Sequence, residues 1–174
     1  MLYLHSVEQS RGLLHFKGNN YKCALGKSGV RTEKKEGDGA TPIGKFFLRR
    51  AFYRPDRLIA PRSELPINRL TPADAWCDDP NHYQYNQLVK KPFKGSHEEL
   101  WRVDNLYDLI IVFGYNDNPP QPYKGSAIFI HCTTKEYKPT KGCIALILSD
   151  LLTILPEVST NFTLDICSTK DLTS

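Results

Sequence analysis

Three short segments with strand-like patterning open the chain: Leu2–Val7, Leu13–Lys17 and Tyr21–Leu25. Gly18-Asn19-Asn20 separates the last two and suits a hairpin turn, so a β-meander is predicted at the N-terminus. The stretch from Gly26 to Gly44 carries five glycines and a Thr-Pro but no periodic apolar face, which reads as a loop with close backbone approach. Lys45–Phe52 is a further strand. Residues 53–105 are rich in proline, asparagine and aspartate, without sustained apolar periodicity. A connection of that length inside a compact domain usually serves function.

Beyond it, Leu109–Phe113 is apolar at every position, the pattern of a central strand covered on both faces, and Ala127–His131 is similar. Ser149 is placed to cap a short helix with Asp150 in its first turn and Leu155-Pro156 at its end, before a last strand at Phe162–Cys167. Strand signals therefore dominate, with no internal repeat. The predicted class is mainly β.

The 174 residues, 40% of them hydrophobic, suit a single domain over 1–174. A chain of this size buries roughly 70% of its unfolded surface, so neither disulfides nor a structural metal is required for stability. The longest unbroken apolar run, Cys143 to Leu148, is far shorter than a membrane span, and Glu8 and Arg11 interrupt the place where an export signal keeps its apolar stretch. Five cysteines without C-x-x-C spacing indicate neither a disulfide framework nor a zinc site. A net charge of +4 is too small to suggest nucleic acid. The excess is local: residues 26–102 hold 15 Lys+Arg against 10 Asp+Glu, which reads either as a solvated insertion or as a basic rim for an anionic substrate.

Candidate chemistry concentrates between Gly125 and Leu152, where a strand ends in His131 and a turn containing Pro139 and Gly142 leads to Cys143. Alternation puts Phe129 and His131 on one face and Ile128, Ile130 and Cys132 on the other; Cys143 and Ala145 form a second row. A free thiol is only a few per cent ionised at neutral pH, so a catalytic Cys143 needs a nearby base. His131 is the candidate, its second ring nitrogen held by a backbone carbonyl or by Asp117. The amides of Gly142 and Cys143 are candidates for an oxyanion hole. Read bottom-up, the alternative is an inert buried cysteine beside a structural histidine.

Thr140-Lys141-Gly142-Cys143-Ile144-Ala145-Leu146 after Phe129-Ile130-His131 resembles the active-site segment of the YkuD-type L,D-transpeptidases. The segments CALGKSG, EGDGATPIG, WCDDP, ELWR, LYD and GYN resemble the short, single-domain branch of that family. The resemblance implies a mainly β fold of mixed sheets forming a sandwich, with one or two short helices and a long loop-rich insertion. It also implies no cofactor and no metal, a Cys143 nucleophile and a His131 base. The expected activity is a cysteine acyltransferase forming 3-3 or 1-3 peptidoglycan cross-links through a thioester on a stem peptide. Alternatives are a carboxypeptidase or endopeptidase acting on the same stems, or an inactive wall-binding module. Peptidoglycan stems are the expected partners, the cell envelope the expected location, and a monomer the expected state.

Departures from the family pattern lie around the nucleophile. Cys132 follows the histidine where glycine is common, Thr140 replaces a serine, and Ala145 replaces an arginine. An anion must then be held by another group, for which Arg102, Lys141 and Arg31 are candidates. Lys141 is also a candidate for lowering the thiol pKa. Thr140 and Asn116 complete the expected substrate-binding set, while Trp76 and Trp101 are read as packing beneath the insertion.

Overall fold

A computed structural model of the chain describes residues 1–168. The N-terminal meander is present as β1 (Leu2–Glu8), β2 (Arg11–Phe16) and β3 (Asn19–Ala24). Alternation drives it: Leu2, Leu4, Leu14 and Phe16 are buried while Tyr3, His5 and His15 are half-exposed. The hairpin turn falls one residue earlier than its asparagines suggest. Phe16 pairs with Asn19, leaving Lys17 and Gly18 as a two-residue loop, both with positive φ (48° and 79°), as a type I′ turn requires.

The glycine-rich loop contains the short parallel pair β4 (Val30–Arg31) and β5 (Thr41–Pro42), and leads into the ten-residue β6 (Gly44–Tyr53). Next come β7 (Ile67–Arg69), β8 (Asp74–Cys77), β9 (Leu88–Lys90), β10 (His97–Glu99), β11 (Leu109–Phe113), β12 (Phe129–Cys132) and β13 (Ile144–Leu146). Helix α1 (Leu148–Ile154), a 3₁₀ turn at Leu155–Glu157 and β14 (Thr163–Cys167) complete the described chain.

Nine strands form one mixed sheet in the order β11-β12-β13-β3-β2-β1-β14-β6-β7. Because β6 also pairs with β11, its eight strands from β11 to β6 form a closed circuit. Closure removes the unpaired edges that an open sheet of this size exposes. The first and last strands meet in it, with Leu2 opposite Leu164 in parallel register.

The insertion corrects one expectation. Residues 53–105 are not simply a loop: β8, β9 and β10 form a separate three-stranded sheet, and β7 joins the main sheet beside β6. Strands of three or four residues are too short to leave a readable period. The helix corrects another. Ile147, not Ser149, is the N-cap, with no side-chain hydrogen bond, and Ser149 lies inside the helix.

Strand β11 divides two apolar clusters. Leu109, Ile111 and Phe113 point into the main core with Ile130, Ile144 and Leu146. Ile110 and Val112 face the opposite way, packing with Phe129, Trp76, Leu100, Tyr107 and Cys143 beneath the insertion. The outer face of β11, β12 and β13, roofed by that insertion, is where the candidate chemistry lies.

Candidate active site

Strands β12 and β13 run parallel, with Ile130 opposite Ile144 and His131 opposite Ala145. Parallel neighbours need a crossover connection. Here it is residues 133–143, pinned where the Thr140 amide donates to Leu25 O (2.9 Å) and the Lys27 amide donates to Thr140 O (2.9 Å). That return path sets Cys143 on the same outer face as Phe129, His131 and Ala145, while Ile130, Cys132 and Ile144 join the core. His131 and Cys143 line a single cavity of about 750 Å³ with Tyr107, Ala127 and Thr140.

Cys143 Sγ donates to Ala127 O (3.2 Å) and accepts from the Phe129 amide (3.3 Å). Ala127 has φ +51°, an uncommon conformation for a residue with a side chain, at the carbonyl that meets the sulfur. His131 Nδ1 lies 2.8 Å from Cys132 O, which makes Nδ1 the protonated nitrogen and leaves Nε2 to accept. The acceptor is thus a backbone carbonyl; Asp117 is bound to Arg49 (2.8 Å). Tyr107 packs edge-on against the imidazole, ring centroids 5.1 Å apart, and its hydroxyl donates to Glu98 (3.2 Å).

Burial decides the protonation of both groups. It pushes the Cys143 thiol up to about 12, against a smaller lowering by the Phe129 amide. It also holds His131 down to about 4, against the raising effect of the Cys132 carbonyl. At neutral pH the pair is therefore thiol and neutral imidazole, and the thiol donates to Ala127 O.

A pH dependence follows. An unfolded histidine takes up a proton near 6.5, whereas folded His131 does so only near 4. The stabilisation is complete above the unfolded value and is lost as pH falls from about 6.5 towards 4, by roughly 3 kcal/mol. Denaturant unfolding across that window is expected to show this loss, and His131→Gln to flatten it.

The other expected site residues separate into two groups. Thr140 lines the cavity, but its hydroxyl donates to Cys143 O (2.6 Å) and accepts from the Gly142 amide (3.1 Å), so it braces the nucleophile loop. The Gly142 amide is consequently engaged and not a free oxyanion donor. Lys141 is exposed at the cavity and has no ion pair among the described residues. Arg102 lines the cavity too, but its guanidinium is bound to Asp104 (2.9 and 2.7 Å) and Glu98 (3.2 Å). Asn116 does not line the cavity: its amide bridges Gln121 O (3.0 Å) and Gly125 O (2.9 Å), holding a loop. Arg31 lines a different groove. Trp76 packs under Phe129 at 5.0 Å, and Trp101 lies under the Arg54 guanidinium at 3.8 Å.

Among the charged lining residues that sequence reasoning passed over are Glu36, Asp78 and Lys34. Glu36 accepts from Tyr85 Oη and from Ser126 Oγ (2.7 Å). Asp78 Oδ1 is buried with no hydrogen-bond partner among the described residues. Lys34 has a side chain only 2% exposed and bonds to Asp38 (2.7 Å). Glu36 and Lys34 lie in or beside the EGDGATPIG segment, whose three glycines and single proline read as a turn-rich loop with solvated charges.

A neutral imidazole on β12 and a buried thiol immediately before the parallel β13, at one cavity, define a mainly β protein with a cysteine–histidine site. The chain belongs to the YkuD family, L,D-transpeptidase catalytic domain, which it matches over residues 3–166. Among solved structures it is similar to the helical cell shape determining protein Pgp2 from Campylobacter jejuni, at 15% identity and a TM-score of 0.40. That match covers 96% of this chain and 46% of Pgp2, so the chain spans under half the length of that protein. No curated protein sequence matches. No helix among the described residues is long and apolar enough to cross a membrane.

Proposed function

We propose that the protein is a cysteine acyltransferase that cross-links peptidoglycan stem peptides in the cell envelope. The observation that carries this reading is the shared placement of His131 and Cys143 on the outer face of β12 and β13, at one cavity, in a chain of the L,D-transpeptidase family.

The resting pair is neutral, so the reaction starts by moving a proton. A donor stem entering the cavity displaces the thiol from Ala127 O, and Sγ gives its proton to His131 Nε2 as it bonds to the substrate carbonyl carbon. The Phe129 amide, which already donates to Sγ, favours the sulfur's negative charge. The Cys143 amide serves the oxyanion, while the Gly142 amide keeps the loop closed through Thr140. His131 passes its proton to the leaving amine, the C–N bond breaks, and a thioester is left. An acceptor amine then attacks the thioester. Its proton returns through His131 to the sulfur, and an isopeptide link is released.

A buried imidazole held near pKa 4 is a weak base alone but a good relay once thiolate and imidazolium form together and attract one another. Lys141, an exposed cation lining the cavity beside the nucleophile, is assigned to meet a stem carboxylate.

Mass analysis of tetrapeptide muropeptides incubated with the purified protein tests the reading. A joined dimer with released D-alanine is expected. Loss of D-alanine without joining makes the protein a hydrolase of the same stems, and unchanged muropeptides overturn acyl transfer.

A further inference from the structure

Two tyrosines beside the cavity of Cys143 stand in solvent on loops that touch each other. Tyr83 is 86% exposed and Tyr123 56%. A single exposed aromatic residue needs no explanation, but two that are each held in a fixed pose beside a functional cavity call for one.

Tyr83 stacks on His82, with ring centroids 4.6 Å apart and 28° between the planes, and Phe93 packs edge-on against the same imidazole at 4.7 Å. At that exposure the other face of the Tyr83 ring is open to solvent. His82 is fixed in turn, its Nδ1 accepting from the Gln84 amide (3.1 Å). Tyr123 has φ +66°, costly for a bulky side chain, and its hydroxyl donates to Asn81 Oδ1 (2.6 Å), two residues before Tyr83. The Asn116 side chain ties the Tyr123 loop at Gln121 and Gly125. Both rings are thus set before a ligand arrives, which lowers the ordering cost of binding.

The pair is continuous with the cavity. The Glu36 amide donates to Tyr123 O (2.8 Å), and the Glu36 carboxylate, on the cavity wall, accepts from Tyr85 Oη, two residues after Tyr83. Asp78, on the same wall, begins the turn that carries Asn81 and Tyr83. A tyrosine has an apolar face and a polar tip, and here Asn81, with Asp79 bound to its amide (3.0 Å), adds polar groups beside the rings. A pyranose divides in the same way, with C–H groups on its faces and hydroxyls around its rim. The turn from Asp78 to Tyr83 holds two aspartates and no lysine or arginine, which suits a neutral ligand and opposes a phosphate or an anionic lipid surface.

We propose that Tyr83 and Tyr123 form a glycan-binding shelf, on which the sugar strand that bears a stem peptide rests while the stem reaches Cys143. Tyr83 supplies the stacking face, and Tyr123 joins it to the cavity wall through Glu36. The proposal rests on the acyltransfer reading for the identity of the strand. Three stem residues span at most about 11 Å, so the sugar of a stem at work lies close to the cavity mouth.

Titration of the full chain with the β-1,4-linked hexamer of N-acetylglucosamine, followed by isothermal calorimetry, tests the shelf. The parent is expected to bind the hexamer. Tyr83→Ala is expected to weaken binding about tenfold, while Tyr83→Phe, which keeps the ring face, stays within about threefold of the parent. Tyr123→Ala is expected to weaken it severalfold. The Tyr83 side chain is exposed, so its variants are expected to unfold at the parent temperature, which circular dichroism checks. No binding by the parent, parent-like binding by either alanine variant, or a phenylalanine loss as large as the alanine loss overturns the proposal. So does dimerisation without hexamer that Tyr83→Ala abolishes in sedimentation equilibrium, which makes the shelf an interface between copies. The titration involves no stem turnover. Hexamer binding of the expected pattern in a protein that joins no stems leaves the shelf standing and removes the acyltransferase reading; joined stems with no hexamer bound do the opposite.

Discussion

With Cys143 changed to alanine, purified protein is expected to release no D-alanine from stem peptides, form no joined product and show no acyl adduct by intact mass. The loss is expected to reach roughly a thousandfold or more, because a nucleophile cannot be replaced by the groups that merely support it. The fold is expected to survive. Cys143 packs on Ile110 and Phe129 at the edge of the smaller apolar cluster, and the exchange removes a single sulfur atom without stranding a charge. Circular dichroism and thermal unfolding on the same preparation check this. Stem turnover by the alanine variant at the parent rate removes Cys143 from the reaction. The other cysteines offer no rescue: burial raises Cys23 and Cys132 to about 12, and both join the main core away from the cavity.

Gly142→Ala is expected to be as damaging by a different route. Residue 142 has φ +135°, a conformation essentially closed to alanine, and the added Cβ lies 2.7 Å from Ala40 O and 2.9 Å from Ile128 Cδ1. Strain and overpacking together are expected to cost roughly 2–5 kcal/mol. For a chain of this size that corresponds to a fall in Tm of about 5–15 °C. Catalysis suffers beyond stability. The neighbouring Cys143 must shift to relieve the clash, and a displacement of about 1 Å can cost about a hundredfold. Differential scanning calorimetry and stem turnover, measured side by side, separate the two effects. An unchanged Tm with full turnover refutes the steric argument.

The parts of the fold legible in the sequence are those with a strong period. Leu109–Phe113, apolar throughout, is read without error because it is buried on both faces, and the facing of Phe129, His131 and Ile130 follows from simple alternation. The closing pair between β6 and β11 is not legible, since nothing local in Gly44–Tyr53 announces three different partners. Likewise β8, β9 and β10 stabilise one another through tertiary packing around Ala75, Cys77 and Val89, not through their own patterns. At the site, His131 and Cys143 stand out by residue type. Their protonation does not, because it depends on burial beneath an insertion that reads as loop. Thr140 and Asn116 are polar residues near the motif whose hydrogen-bonding capacity the backbone uses, and Lys34 is hidden in a run of charges that looks solvated.

The meeting of β1 and β14 carries a consequence for biogenesis. Strand β14 fills the gap between β1 and β6, so a nascent chain still short of Thr163 displays two ladders of unanswered amide and carbonyl groups. Synthesis must therefore run past Thr163 into β14 before the enclosure can seal. Until then the growing polypeptide depends on chaperones, or on speed, to avoid sticking to its neighbours.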